Sequence, residues 1–281
     1  MIEQIKIPEN WSIFNREDSP LFNKLRRYTD NEKPSFFFST LSIPYVLENH
    51  NSDAVIIVNN NVNPITKNLN EILSRGNIYF ISTSKMVSNK LDEIGLPYVE
   101  FPASLITPKP EPIKKGNGIY FYSALGEQRF YGYLRIKEIL ENHFPHLRLI
   151  CAQGKKGDPS NPKPRLFPNY TREEIYDQLY PNVFLGIRLT KYDGLSATVQ
   201  ELGLRGIKTI WNGGTPSALS YQTDEDIINH IHRELNNVGT IDTETANEVA
   251  EFLNPLNPKY DHVFNLDTYL NKNNNNPKFF K

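Results

Sequence analysis

The chain has 281 residues, enough for one large or two small domains that each bury a core. Its apolar fraction is 38%, and 31 basic against 32 acidic residues leave no global field to draw it to nucleic acid or anionic lipid. A single cysteine, Cys151, excludes an internal disulfide and a multi-thiolate metal site, and reads as a small core residue.

From the N-terminus, MIEQIKIPENW has neither the basic flank nor the apolar stretch of a secretion signal. No later run approaches the ~18 apolar residues of a spanning helix, which predicts a cytoplasmic protein without a membrane span. The runs SFFFSTL (35–41), DAVIIVNN (53–60), NIYFIS (77–82) and YVEF (98–101) read as buried parallel strands, with Phe36, Phe37 and Phe38 in the core. Between them, ITKNLNEILSRG reads as a helix ending at a glycine stop, and SKMVSNKLDEIGL carries apolar residues at helical spacing before Gly95. From Pro97 to Gly118 the composition turns to proline and lysine, as in a stiff exposed linker, and puts a domain boundary near residue 112. Beyond it the strands GIYFYSA, LRLICAQ, NVFLGIRL and KTIWN alternate with helices at YGYLRIKEILENHF, TREEIYDQLY and Ala197 to Arg205. Helices DEDIINHIHREL and TANEVAEFLN follow. The expected fold is α/β, two Rossmann-like doubly wound domains facing across a cleft, spanning residues 1–112 and 113–270, with 271–281 as a polar tail.

No glycine precedes Gly76, and most of the rest lie between Gly116 and Gly214, so close backbone contact with a ligand is expected in the second half. The stretch GIRLTKYDGLSATVQELGLRGIKTIWNGG (186–214) reads strand, loop, helix, strand. Its loop holds Asp193 and Gly194, and Glu201 follows Asp193 by eight residues on the helix. Thr198 and Glu201 fit a capping box, and Ser196 is the alternative cap. A helix start at the C-terminal edge of a parallel sheet offers free amides to a phosphate, and Gly194 lets the backbone approach it. The same residues have plainer readings: Asp193 as a cap or solvated charge, Glu201 as a capping-box acid, and Arg129 and Arg188 as surface ion pairs.

This stretch resembles the signature of GT-B glycosyltransferases of family 4, two acids separated by seven residues, here with Asp193 as the first. RLTKYDG and ELGLRGIKTI resemble the family's sequence around that signature, and ISTSKMVSNKLDEIGLPYVEFPASL resembles the end of its N-terminal domain. The resemblance implies transfer of a hexosyl or pentosyl group from a nucleoside diphosphate sugar to a glycan or other hydroxyl acceptor. It further implies retention of configuration, with neither metal nor other cofactor. Carried onto this chain, Glu201 would bind the ribose hydroxyls, Asp193 the donor sugar, and the amides of Gly194, Leu195 and Ser196 the distal phosphate. Arg129 and Arg188 would neutralise the leaving diphosphate; Gly126, in the loop before Arg129, and Tyr170, where the family packs the base, would complete the donor site. The family's glycine-rich loop near its first strand has no counterpart, which implies a shortened N-terminal domain. Two alternatives stand beside this reading. One is a DNA-modifying glycosyltransferase acting on hydroxymethylated bases, with KLRRYTD (24–30) and GKKGDPSNPKPR (154–165) as the basic acceptor face. The other is a non-catalytic module that binds nucleotide sugars.

Overall fold

A computed structural model describes residues 5–6, 21, 35–59, 61–104, 106–123, 130–153 and 170–264. By their contacts they form two compact units. The first takes the described residues up to Pro108, Tyr192–Leu195, and those from Glu251 on; the second takes those within Lys109–Lys191 and Ser196–Ala250.

In the first unit, β1 (Ile5–Lys6), β2 (Ser35–Phe38), β3 (Ala54–Val58), β4 (Ile78–Ser82) and β5 (Val99–Glu100) are parallel and lie side by side in chain order. Helices α1 (Ile43–Asn49), α2 (Asn63–Lys67), α3 (Leu69–Arg75) and α4 (Lys85–Glu93) connect β2 through β5. The strands are apolar at successive positions because both faces of the sheet are covered. Phe37, Ile56 and Phe80 pack with Ile43, Ile65, Ile72 and Leu91 of the four helices, while Phe36, Val55 and Tyr79 point to the opposite face. Helices α1 to α4 cover only the first side, so the opposite face needs another cover. Leu21, helical and fully buried, and Tyr260 and Val263 from the 3-10 segment Pro258–Phe264 supply it, and the rings of Phe101 and Tyr260 meet edge to face at 5.1 Å. Residues from Glu251 on therefore pack with the first sheet, although the sequence groups them with the second domain. The single helix read from ITKNLNEILSRG is two helices, broken at Asn68, whose side-chain amide donates to the Pro64 carbonyl at 2.8 Å.

The second unit contains β6 (Gly118–Ser123), β7 (Arg148–Gln153), β8 (Val183–Ile187), β9 (Lys208–Ile210) and β10 (Ala218–Leu219), parallel in the order β10-β9-β8-β6-β7. Helix α5 (Tyr133–His143) joins β6 to β7 and packs through Ile136 and Leu140 on the face of Phe121 and Ile187. After β7 comes one α-turn, α6 (Arg172–Glu174), which runs into a π-helical turn (Ile175–Leu179) and a 3-10 turn (Tyr180–Asn182). The uniform helix expected over TREEIYDQLY is thus one α-turn followed by a wider one. Helix α7 (Ala197–Gly203) joins β8 to β9 and packs through Leu202 on the other face, with Tyr120 and Val183. Helix α8 (Asp224–Leu235) returns to the first face through Ile227 and Ile231, and α9 (Thr243–Leu253) follows. Helices on both faces make this unit doubly wound. The chain leaves β6 for one side and β8 for the other, so the crevice that such sheets use for ligands opens at the C-terminal ends of those neighbouring strands.

Among the described residues no helix is long and apolar enough to cross a membrane. Cys151 lies half-buried against the core of the second unit, and burial pushes its thiol up to about 12, which keeps it inert as a nucleophile.

Candidate active site

Arg188 leaves β8 at this crevice. Its amide donates to the Ile210 carbonyl at 3.0 Å, continuing the β8–β9 ladder by one residue. Its guanidinium lies 4.6 Å from the centre of the Tyr131 ring, and the residue is buried. A desolvated cation on an aromatic face is held in place by the ring quadrupole. Gly132, at φ 77, lets the chain turn there: a Cβ would stand 2.7 Å from the Leu189 Cβ. Burial pushes the phenol of Tyr122 up, with the cation of Arg188 opposing and the anion of Glu201 adding to the shift. Both charges therefore act on the end of β6. Two buried polar atoms at the same edge have no protein partner among the described residues, Thr190 Oγ1 just past β8 and Trp211 Nε1 just past β9.

Glu201 lies on α7, 9% exposed. The N-cap of α7 is Ser196, whose side chain makes no capping bond, and Thr198 lies inside the first turn, so the Thr198–Glu201 capping box is not formed. The Glu201 carboxylate is taken up elsewhere. Arg172 Nη2 stands 3.0 Å from Oε1, and the Tyr180 hydroxyl donates to Oε2 at 2.9 Å. Burial holds the Tyr180 phenol far above its ordinary value, and the Glu201 anion adds to that, so the hydroxyl stays a proton donor. Arg205, one helical turn after Glu201, donates from Nη1 to the Glu201 carbonyl at 3.1 Å and lies over the Tyr176 ring at 4.0 Å. None of Arg172, Tyr176, Tyr180 and Arg205 is a site residue in the sequence reading. The available signals were the four-residue spacing of 172, 176 and 180 in TREEIYDQLY and the same spacing of 201 and 205 in ELGLR. Tyr170, expected near the base, packs half-buried against the cluster of Tyr120, Ile150 and Ala152.

The loop carrying the first acid, Tyr192–Leu195, belongs by its contacts to the first unit. The Tyr192 ring packs against the helix-covered core of that unit, and the Ser84 hydroxyl donates to the Asp193 carbonyl at 2.9 Å. Gly194 is pressed against the end of β3, where a Cβ would lie 1.7 Å from the Asn59 carbonyl oxygen. The need for glycine at 194 thus comes from main chain meeting main chain within the fold. Gly194→Ala is expected to destabilise by roughly 1–3 kcal/mol, the range for overpacking, read as a lower urea midpoint. An unchanged midpoint would show that the loop does not rest on Asn59. Arg129 and Gly126 lie outside the described residues, as do the basic stretches 24–30 and 154–165.

A parallel α/β sheet in each unit, matched by solved glycosyltransferases, defines the class: the GT-B fold. Solved structures that share it include the following three. TarM superposes with a TM-score of 0.50 at 13% identity over 88% of this chain, which spans 54% of TarM, about half its length. Sucrose-phosphate synthase from Thermosynechococcus elongatus gives 0.50 at 13% identity, covering 98% of this chain and 80% of that one. The apo form of the lipopolysaccharide outer core galactosyltransferase WaaB gives 0.50 at 12%, covering 94% and 81%. At such identities the likeness is one of fold. No protein-family model matches the chain, and no curated protein matches its sequence.

Proposed function

We propose that the chain is a glycosyltransferase of the family 4 kind, moving a sugar from a nucleoside diphosphate sugar to an acceptor hydroxyl. The observation that carries this reading is Glu201: a carboxylate on the helix that follows β8, beside the switch-point crevice, anchored through both oxygens. A carboxylate offers about four acceptor sites, so hydroxyls of a ribose can join the bonds it makes to Arg172, Tyr180 and Tyr176. Arg188, at the end of β8, is the cation for the diphosphate. Thr190 Oγ1 and Trp211 Nε1 support a polar ligand at this edge, since buried polar groups are ordinarily satisfied.

In the reaction so read, the bond between the anomeric carbon and the diphosphate oxygen breaks and the acceptor oxygen bonds to the same carbon. The acceptor proton passes to the departing phosphate, and configuration is retained. Arg188 offsets the charge that gathers on the leaving group, the part a metal ion plays in other transferases. Asp193 and the amides of Gly194, Leu195 and Ser196 take the roles that the resemblance gives them, on the donor sugar and the distal phosphate.

Thermal-shift screening against UDP, GDP, ADP and dTDP sugars tests the reading. A donor at 100 times its dissociation constant stabilises by about 2.7 kcal/mol. Transfer with that donor is expected to persist in EDTA. Activity lost in EDTA and restored by Mn²⁺ would overturn the metal-independent part, and no shift with any donor would overturn the donor assignment itself.

A further inference from the structure

We propose that Arg172 makes the site select ribonucleotides over 2′-deoxyribonucleotides, by holding the Glu201 carboxylate in one orientation. The inference rests on the reading that Glu201 grips the ribose. Arg172 acts through Glu201 and is therefore a positioning residue.

Glu201 is held by Arg172 at 3.0 Å on Oε1 and Tyr180 at 2.9 Å on Oε2, and the Tyr176 hydroxyl, which accepts from Arg172 Nε, also hydrogen-bonds the carboxylate. A carboxylate held through both oxygens cannot turn about its last bond, so the remaining lone pairs face one direction. Without Arg172 the carboxylate is left to the Tyr180 hydroxyl and to a Tyr176 hydroxyl that Arg172 Nε no longer fixes, so it pivots and no longer meets a fixed hydroxyl pair. A deoxyribose offers one hydroxyl fewer at this pair of oxygens, so it gains little from the second anchor. The fixed plane is what separates the two sugars.

The anchors are themselves fixed. Thr171 and Glu174 form a reciprocal capping box, which sets the turn that presents Arg172. Arg172 Nε donates to the Tyr176 hydroxyl, and its guanidinium lies 5.3 Å from the centre of that ring. The Tyr176 and Tyr180 rings stack at 5.6 Å with 29° between their planes, and Arg205 covers both, at 4.0 and 5.3 Å. In a uniform α-helix four residues overshoot one turn by about 0.4 residue and eight by about 0.8, so residues 172, 176 and 180 would drift around the axis. The π-helical turn over Ile175–Leu179 is wider and absorbs the drift. Arg172, Tyr176 and Tyr180 thereby share one face, turned to Glu201. Single π-turns within helices concentrate at functional sites.

The two anchors differ in exposure. The Arg172 side chain is 44% exposed and that of Glu201 12%, while Tyr180 is buried. Only the Arg172 end of the pair is half-exposed, so on its loss water reaches Oε1 from that side while the tyrosine hydroxyls still hold the buried carboxylate. Loss of Arg172 therefore leaves the fold standing and releases Oε1, so its effect falls on recognition and not on stability.

The test is calorimetric binding of UDP, GDP and ADP, each against its 2′-deoxy form, to the wild type, Arg172→Ala, Arg172→Lys and Glu201→Ala, with melting of each. The ratio of ribo to deoxy affinity cancels any general attraction of Arg172 for a diphosphate. For the nucleotide that binds best, the wild-type ratio is expected at about tenfold or more, the worth of a hydrogen bond to a charged group. Arg172→Ala should lose most of that ratio with little change in melting, and Arg172→Lys should recover part of it. A ratio that collapses in Glu201→Ala but stays at the wild-type value in Arg172→Ala overturns this inference alone. A ratio unchanged in Glu201→Ala, or no discrimination in the wild type, overturns the ribose assignment and this inference with it.

Discussion

Glu201→Ala is expected to weaken nucleoside diphosphate binding by about 1.5–3 kcal/mol, a tenfold to more than hundredfold loss, because it removes a buried charged acceptor. The same change touches the fold. Tyr180 is 1% exposed, and its hydroxyl would keep no acceptor at 201, which costs about 1–3 kcal/mol when such a group stays unsatisfied. Arg172 is half-exposed and turns to water at small cost. Glu201→Gln separates the two effects. An amide oxygen still accepts from Tyr180, so melting should stay closer to the wild type. The amide nitrogen then faces Arg172, and the charged acceptor for the ribose is gone, so binding should still fall. Calorimetry and melting on both variants check this, and unchanged affinity in a folded Glu201→Ala protein would remove Glu201 from the site.

Asp193→Ala is expected to leave nucleoside diphosphate affinity nearly intact while transfer falls by roughly 100-fold, the scale of misorienting a bound substrate. The variant should fold, because the loop is anchored by main-chain groups. Ser84 donates to the Asp193 carbonyl, and Gly194 rests on the main chain of Asn59. Neither of these two anchors uses the Asp193 side chain, and melting of each variant beside its transfer rate separates folding from chemistry. Asp193→Asn keeps one acceptor without the charge and should fall between the two. Wild-type transfer rates in both folded Asp193 variants would make the likeness to a paired-acid signature fortuitous at its first position. A wild-type protein that binds donors yet neither hydrolyses nor transfers them would favour the non-catalytic module.

The sequence by itself determined the α/β class and the place of most strands and helices. Runs such as AVIIV and VFLGI are apolar at every position only when a strand is covered on both faces, and Gly76 and Gly95 close helices because they take the left-handed conformation at φ 67 and 73. The spacing from Asp193 to Glu201 was legible for the same reason: loop, helix start and second acid are neighbours along the chain. What surrounds Glu201 was not legible. Arg172 and Tyr180 come to it from an element separated from α7 by the whole of β8, and they line up only through a π-helical turn that TREEIYDQLY does not announce. Local propensity favours an ordinary helix there, and the packing of Arg205 across Tyr176 and Tyr180 accompanies the wider turn. The partner of Gly194 was hidden likewise, since Asn59 lies 135 positions earlier and meets it only in the folded unit. Leu21, Tyr260 and Val263 cover the face of the first sheet that α1 to α4 leave open, and the strands themselves do not say which distant segments will do so. Contacts local in the chain leave a pattern in the residues; contacts made by distant segments are decided by which surfaces remain to be covered once the local elements have formed.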